Sequence, residues 1–146
     1  MNAVGVSARN RERGTSSVEL AVLVPGLVLL LGLMVAGGRL WFARSTVAEA
    51  AYSAARAASL ARTPAEASAD GTAAGRRALD TDGLDCREAS IQVSTADFAI
   101  PVGQPASVTG SVRCTVSFSD VLLPGMPGSI TIRSVASSPL DTYRSR

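Results

Sequence analysis

The strongest constraint on this chain is an uncharged apolar run over residues 20–38, which directly follows the carboxylate of Glu19. As an α-helix this run would span roughly 28 Å, which matches the hydrocarbon core of a bilayer. Arg39 comes next and can snorkel to the interface, and Trp41 and Phe42 lie where an interfacial aromatic belt is expected. The sequence therefore predicts one membrane anchor with an ionisable group at its entrance, which by default marks a functional position.

A short basic segment precedes the anchor. Within residues 9–13 three arginines stand against one glutamate, and no apolar periodicity is present. A cleaved secretory signal peptide is an alternative interpretation of the N-terminus. The apolar run is longer than a usual signal core, however, and the small residues at 36–38 are followed by Arg and Trp instead of a clear cleavage site.

Composition limits the chemistry that the chain can perform. Its 146 residues suffice for one small domain and an anchor, and a net charge of +2 gives no argument for a nucleic-acid partner. Without His or Lys, no ordinary base is present for a serine nucleophile, and no His can bind a metal. A calcium loop would have to come from Asp80, Asp82 and Asp85, which lack the required pattern of oxygen ligands. A carboxylate dyad could be built from these residues and Glu88, but their spacing singles out no pair. We therefore expect no enzyme activity, no cofactor and no metal site.

The helical pattern continues beyond the anchor. Residues 43–62 are rich in Ala, with small residues recurring at helical spacing, so one helix over about residues 16–62 is predicted, roughly 70 Å long. Pro25 would bend it, either incidentally or as a soft point. Thr63 as N-cap, Pro64 and Glu66 predict a restart into a second helix that ends near residue 79, weakened by two internal glycines, Gly71 and Gly75.

The remainder of the chain has the alternation of β-strands, predicted over residues 91–100, 108–118 and 130–135. Residues 101–105 would join the first two strands as a hairpin, and residues 123–128 would form a rigid loop exposing Leu and Met. Gly110 falls on the inward face of the second strand, where a helix could approach closely. The fold class is therefore α+β, with a long N-terminal helix covering a small antiparallel sheet through its Ala-rich face.

Two cysteines follow the anchor, Cys86 and Cys114. If this part of the chain is exported, a disulfide between them is expected, whereas a cytosolic domain would keep two buried thiols. A bond would close a loop that the chain-entropy model values at roughly 3 kcal/mol.

The residues around Glu19 carry a family resemblance. Residues 13–25, RGTSSVELAVLVP, resemble the N-terminus of TadE-like pseudopilins, minor components of the tight-adherence (Flp) type IV pilus machinery. The ending ASSPLDTYR, residues 136–144, is similar to the C-terminal signature of the actinobacterial branch. Leu20 stands where Phe is more common in the family, which is a mild departure.

The resemblance implies a pilin-like fold and cleavage after Gly14 by a prepilin peptidase on the cytoplasmic side, which leaves Thr15 as the new N-terminus. Glu19 would then be the fifth residue of the mature chain and could neutralise its own or a neighbour's α-ammonium. The alternative role for Glu19 is to favour the start of a helix, where a carboxylate is stabilised.

These inferences divide the chain into a prepilin leader (1–14), a transmembrane helix (15–42) and an extracytoplasmic domain (43–146). The expected partners are the prepilin peptidase, a second minor pilin, the major Flp pilin, the inner-membrane assembly platform and membrane lipid, with no nucleic acid. The N-terminus would be cytoplasmic, and the protein could enter the filament. The competing hypothesis is an uncleaved single-span protein that displays a small binding domain, with residues 122–128 as its contact loop.

Overall fold

A computed structural model describes the backbone of residues 12–117 and 128–141, and side chains from residue 19 onward within these ranges. The element order is α1 (Glu12–Ser59), α2 (Pro64–Thr81), β1 (Cys86–Ser94), a 3₁₀ turn (Ala96–Ala99), β2 (Ser107–Ser117) and β3 (Ser129–Pro139). The long helix packs on a small antiparallel sheet, so the predicted α+β class is confirmed.

Helix α1 is 48 residues long and runs through Pro25 without interruption. At 1.5 Å per residue its length is about 72 Å. Its two halves differ in burial. Between Leu20 and Val35, every large apolar side chain is at least 48 % exposed. By contrast, Val47, Ala51 and Ala54 are fully buried. The membrane-length half therefore stands clear of the domain, and the Ala-rich half forms part of its core.

Helix α2 begins with the predicted cap. The side chain of Thr63 accepts a hydrogen bond from the Glu66 N–H at 3.2 Å, and Pro64 occupies the first turn, where its missing N–H is harmless. The Glu66 carboxylate accepts from the N–H of Arg62 at 3.3 Å, one residue before the N–H of the capping residue that a capping box would use. The helix ends at Thr81, close to the predicted end.

The sheet has the order β1-β2-β3, and both pairs are antiparallel. Both helices lie on one face, with α1 against β2 and β3 and α2 against β1. The predicted alternation of β2 is confirmed, because Val108, Val112 and Cys114 are buried while Arg113 is exposed. The Ala-rich face of α1 supplies the predicted cover of the sheet.

The predicted strand boundaries need two corrections. The first strand is Cys86–Ser94 and not residues 91–100, because the chain turns into the 3₁₀ segment that buries Phe98 beneath Val108 and Leu140. The third strand runs over Ser129–Pro139, well past residue 135, since it pairs with β2 along its whole length. Its extension ends at Leu140, which is buried and whose N–H donates to the carbonyl of Ala106.

Cys86 and Cys114 form a disulfide across β1 and β2, which confirms the predicted pairing over the free thiols. Cys86 is the first residue of β1 and stands next to an irregularity in the register, between Cys86 and Glu88. Cys114 is completely buried on the helix-facing side of β2. The bond therefore ties the start of the edge strand to the centre of the core.

Candidate functional site

The predicted cleavage position lies at the very start of α1. Gly14 and Thr15 follow the first helical residue, Glu12, by only two and three positions. The first four N–H groups of a helix have no partner within it, so this turn is the easiest part of α1 to unwind. Gly14 lowers the local helix stability by a further ~1 kcal/mol relative to Ala. The backbone on both sides of the Gly14–Thr15 peptide bond can therefore become extended without disturbing the folded domain.

Glu19 lies one helical turn beyond Thr15, roughly 6 Å further along the axis. Residues four apart share a helix face, so a charge at the N-terminus of a chain beginning at Thr15 would be on the side of Glu19. The Glu19 side chain is exposed, and no hydrogen bond or ion pair engages it among residues 19–117 and 128–141. Its carboxylate is thus available to a partner outside the described structure.

The apolar half of α1 after Glu19 is the only helix in the described part of the chain that is long and apolar enough to cross a membrane. Almost none of this apolar stretch is buried in the protein. A core helix of a soluble domain would be largely buried, so the exposed side chains favour a lipid or helix-packing environment.

Comparison with known families finds a match in the N-terminal helix. Residues 14–56 match the model of the family described as TadE-like protein. This segment is similar to the TadE-like family. The match begins at Gly14 and ends three residues before the end of α1, so it includes the candidate cleavage position, Glu19 and the apolar half, and none of the sheet. No curated protein and no solved structure matches the chain.

The TadE-like segment and the exposed apolar helix are together consistent with a membrane-anchored component of a Tad pilus system. The resemblance stated from residues 13–25 is thereby confirmed at the level of the family. The actinobacterial assignment from residues 136–144 stays a prediction. Of that segment, Ala136 to Pro139 belong to β3 and Leu140 is a core residue, so part of the pattern has a packing role.

The acidic residues considered for catalysis do not all lie at one site. Asp80 and Asp85 line a groove of about 420 Å³ beside Cys86, together with Arg76, whereas Glu88 lies on the opposite face of the sheet across from Thr115. Among the described residues, no group of three or more Asp, Glu or Cys is arranged to hold a metal ion. In the competing hypothesis the contact loop is formed by residues 122–128, of which residues 122–127 lie outside the described part of the chain.

The structure also brings together two arginines that the sequence does not predict to be neighbours. Arg113 and Arg133 are directly opposite each other in the β2–β3 register, and Ser90 is opposite Arg113 on β1. The alternation of β2 places Arg113 outward, but only the pairing register brings Arg133 beside it. No local signal in the sequence could have identified this pair.

Proposed function

We propose that this chain is a pseudopilin that contributes to the assembly of a Tad/Flp-type pilus after its leader is removed. The observation that carries the proposal is the TadE-like match, which starts at Gly14 and continues through an exposed membrane-length helix. The leader keeps three arginines at the anionic inner surface of the membrane, where each Lys or Arg contributes about 1 kcal/mol. This orientation leaves the disulfide-linked sheet outside the cytoplasm.

The reaction on the chain is hydrolysis of the peptide bond between Gly14 and Thr15 by a prepilin peptidase. Water is added across this bond, so the released leader ends in a carboxylate and the mature chain begins with an α-ammonium. The unpartnered N–H groups in the first turn of α1 and the absence of a side chain at Gly14 allow the extended backbone that a protease cleft requires. In this role the chain is a substrate, and we propose no catalytic activity for it.

The new α-ammonium on Thr15 gives Glu19 its function. A carboxylate at the entrance of an apolar helix is unfavourable by several kcal/mol unless it is paired. Pairing with the ammonium of a neighbouring subunit removes this penalty and sets the axial register between two packed helices. The neighbours in this proposal are the major Flp pilin and a second minor pilin, delivered by the inner-membrane platform.

The test is the intact mass and N-terminal residue of the membrane-extracted protein, from cells with and without the prepilin peptidase. We expect a chain that begins at Thr15 when the peptidase is present and at the original N-terminus when it is absent. A protein that retains residues 1–14 in its native host contradicts the proposal. That outcome favours the uncleaved single-span protein that displays a binding domain.

The same experiment includes the variant Glu19→Gln, with Glu49→Gln as its control, since Glu49 is an exposed carboxylate on the outer half of α1. Both variants should be cleaved normally. We expect Glu19→Gln to lose co-purification with the major pilin and Glu49→Gln to keep it. If both variants kept co-purification with the major pilin, the charge of Glu19 would have no role in assembly, which contradicts the proposed pairing.

A further inference from the structure

The outer face of the sheet, which points away from both helices, carries an uncompensated pair of positive charges. Arg113 of β2 and Arg133 of β3 are exposed and directly opposite each other, and Ser90 of β1 completes the row. Directly opposite side chains have their Cβ atoms about 4.5–5.5 Å apart, and like charges at this distance destabilise a sheet. We call these three residues the arginine row.

Nothing in the described part of the chain neutralises the arginine row. No carboxylate among residues 19–117 and 128–141 forms an ion pair with either guanidinium group. The acidic residue on the same face, Glu88, lies one row away opposite Thr115, and it makes no ion pair with Arg113. A depression of about 60 Å³ is lined by both arginines and by Val112, together with the polar residues Ser90, Gln92 and Ser111. The row therefore combines two cations with hydroxyl and amide groups around a small concave space.

The chemistry of this row fits an oxyanion. Guanidinium groups bind carboxylate and phosphate in a fork of parallel hydrogen bonds, and the charge of the ligand would relieve the repulsion between the two arginines. A neighbouring pair on the same face, Thr115 and Thr131, presents two hydroxyl groups 2.9 Å apart. The ligand must therefore tolerate a mainly polar surround.

The composition of the face distinguishes between kinds of ligand. Stable protein interfaces have a centre of aromatic or large apolar side chains. On the described outer face the residues beside the row are Ser, Thr and Gln, together with Glu88 and the exposed large apolar side chain of Val135. A hydroxyl-rich polymer that carries regularly spaced acidic groups satisfies both the charge of the row and the polarity around it.

We propose that the arginine row binds the carboxylate groups of an acidic polysaccharide. The inference goes beyond a role in pilus assembly and does not depend on cleavage after Gly14. It assigns to the sheet an envelope ligand, while the helix provides the anchor.

The test measures binding of the full-length protein, held in neutral detergent micelles, to immobilised polygalacturonate, with neutral dextran as the reference polymer. The variant Arg113→Gln/Arg133→Gln is compared with Arg77→Gln, which removes an exposed arginine from α2 in the helix layer. We expect the double variant to bind about tenfold more weakly or worse, and Arg77→Gln to bind nearly as well as the wild type. Inorganic phosphate should compete with the polymer.

The thermal midpoint of the same variants separates a binding role from a structural one. Removing two opposed like charges should leave the midpoint of the double variant unchanged or raise it. A lowered midpoint together with lost binding would mean that the arginines support the fold, which overturns the proposal. So would equal weakening by Arg77→Gln, equal binding to dextran, retained binding by the double variant, or no binding by the wild type.

Discussion

Ala54 is the residue around which the two helices and the central strand approach one another closely. A Cβ atom added at Gly75 or Gly110 would lie 3.3 or 3.2 Å from the Cβ of Ala54, and one added at Gly71 would lie 2.9 Å from its carbonyl oxygen. The two glycines that were expected only to weaken α2 are thus the positions that let α2 pack against α1. Small residues on three elements let the core pack closely in a chain with only six aromatic residues, of which Phe98 is buried.

Gly110→Ala should destabilise the domain. Its new Cβ would meet backbone atoms, the carbonyl oxygen of Ala51 at 2.8 Å and the nitrogen of Ala55 at 2.9 Å, which cannot rotate away. Overpacking of this kind lowers the free energy of unfolding by about 1–3 kcal/mol. Thermal unfolding of the full chain in detergent, followed by circular dichroism, measures the effect.

Gly75→Ala provides the matched control. Its new Cβ would meet only side-chain atoms of Ile91 and Ala54, at 3.2–3.3 Å, and the helix would gain about 1 kcal/mol of propensity. The two terms oppose each other, so its thermal midpoint should remain close to that of the wild type. If Gly110→Ala were as stable as Gly75→Ala, this would contradict the close contact between α1 and β2 at Gly110.

At the scale of elements, the disulfide compensates for a core with few large side chains. The largest fully buried side chains are Val47, Val108, Val112 and Cys114. The bond joins β1, an edge strand with no buried residue, to β2 at the centre of the sheet. Without it, β1 would be held mainly by its ladder with β2 and by α2.

Reduction of the disulfide should therefore lower the free energy of unfolding by about 3 kcal/mol, as expected for a loop of this length. Denaturant unfolding with and without dithiothreitol measures the loss. The variant Cys86→Ala/Cys114→Ala controls for other effects of the reductant and should unfold identically in both conditions. An unchanged midpoint of the wild type after complete reduction, verified by thiol labelling, would contradict this prediction.

At the scale of the whole molecule, one continuous helix serves two environments. Its first half exposes large apolar side chains, and its second half buries small ones against the sheet. The two halves share no core, so the membrane half can be altered without unfolding the domain. This separation suits a protein that must be anchored by one end while its folded part keeps its shape.

Leu30→Arg tests this separation. Leu30 is 56 % exposed near the middle of the apolar run, and an Arg there disfavours insertion by about 2.5–3.5 kcal/mol. We expect the variant to be lost from the carbonate-resistant membrane fraction. Ala48→Arg, on the exposed side of the second half, should remain in it. Retention of Leu30→Arg in the membrane would show that this stretch is not the anchor.

Local patterns were sufficient to determine several features from the sequence. The length and apolarity of residues 20–38 determine the exposed helix, and the order Thr63, Pro64, Glu66 determines the start of α2, because both depend on neighbours within a few residues. The alternation around Gly110 likewise indicated the face that α1 approaches. The short motif around Gly14 and Glu19 indicated the family, because its residues are adjacent in the chain.

Other features depend on contacts between distant segments and were decided only by the tertiary structure. Residues 95–100 have apolar content suited to a strand, yet they turn because Phe98 is buried against Val108 and Leu140 and because the Asp97 carboxylate accepts the N–H of Ser107. The pairing of Arg113 with Arg133 depends on the register between β2 and β3. If one strand slipped by a single residue, every residue would have a different cross-strand neighbour. Register is set by the packing of a whole sheet on two helices, and no stretch of sequence contains that information alone.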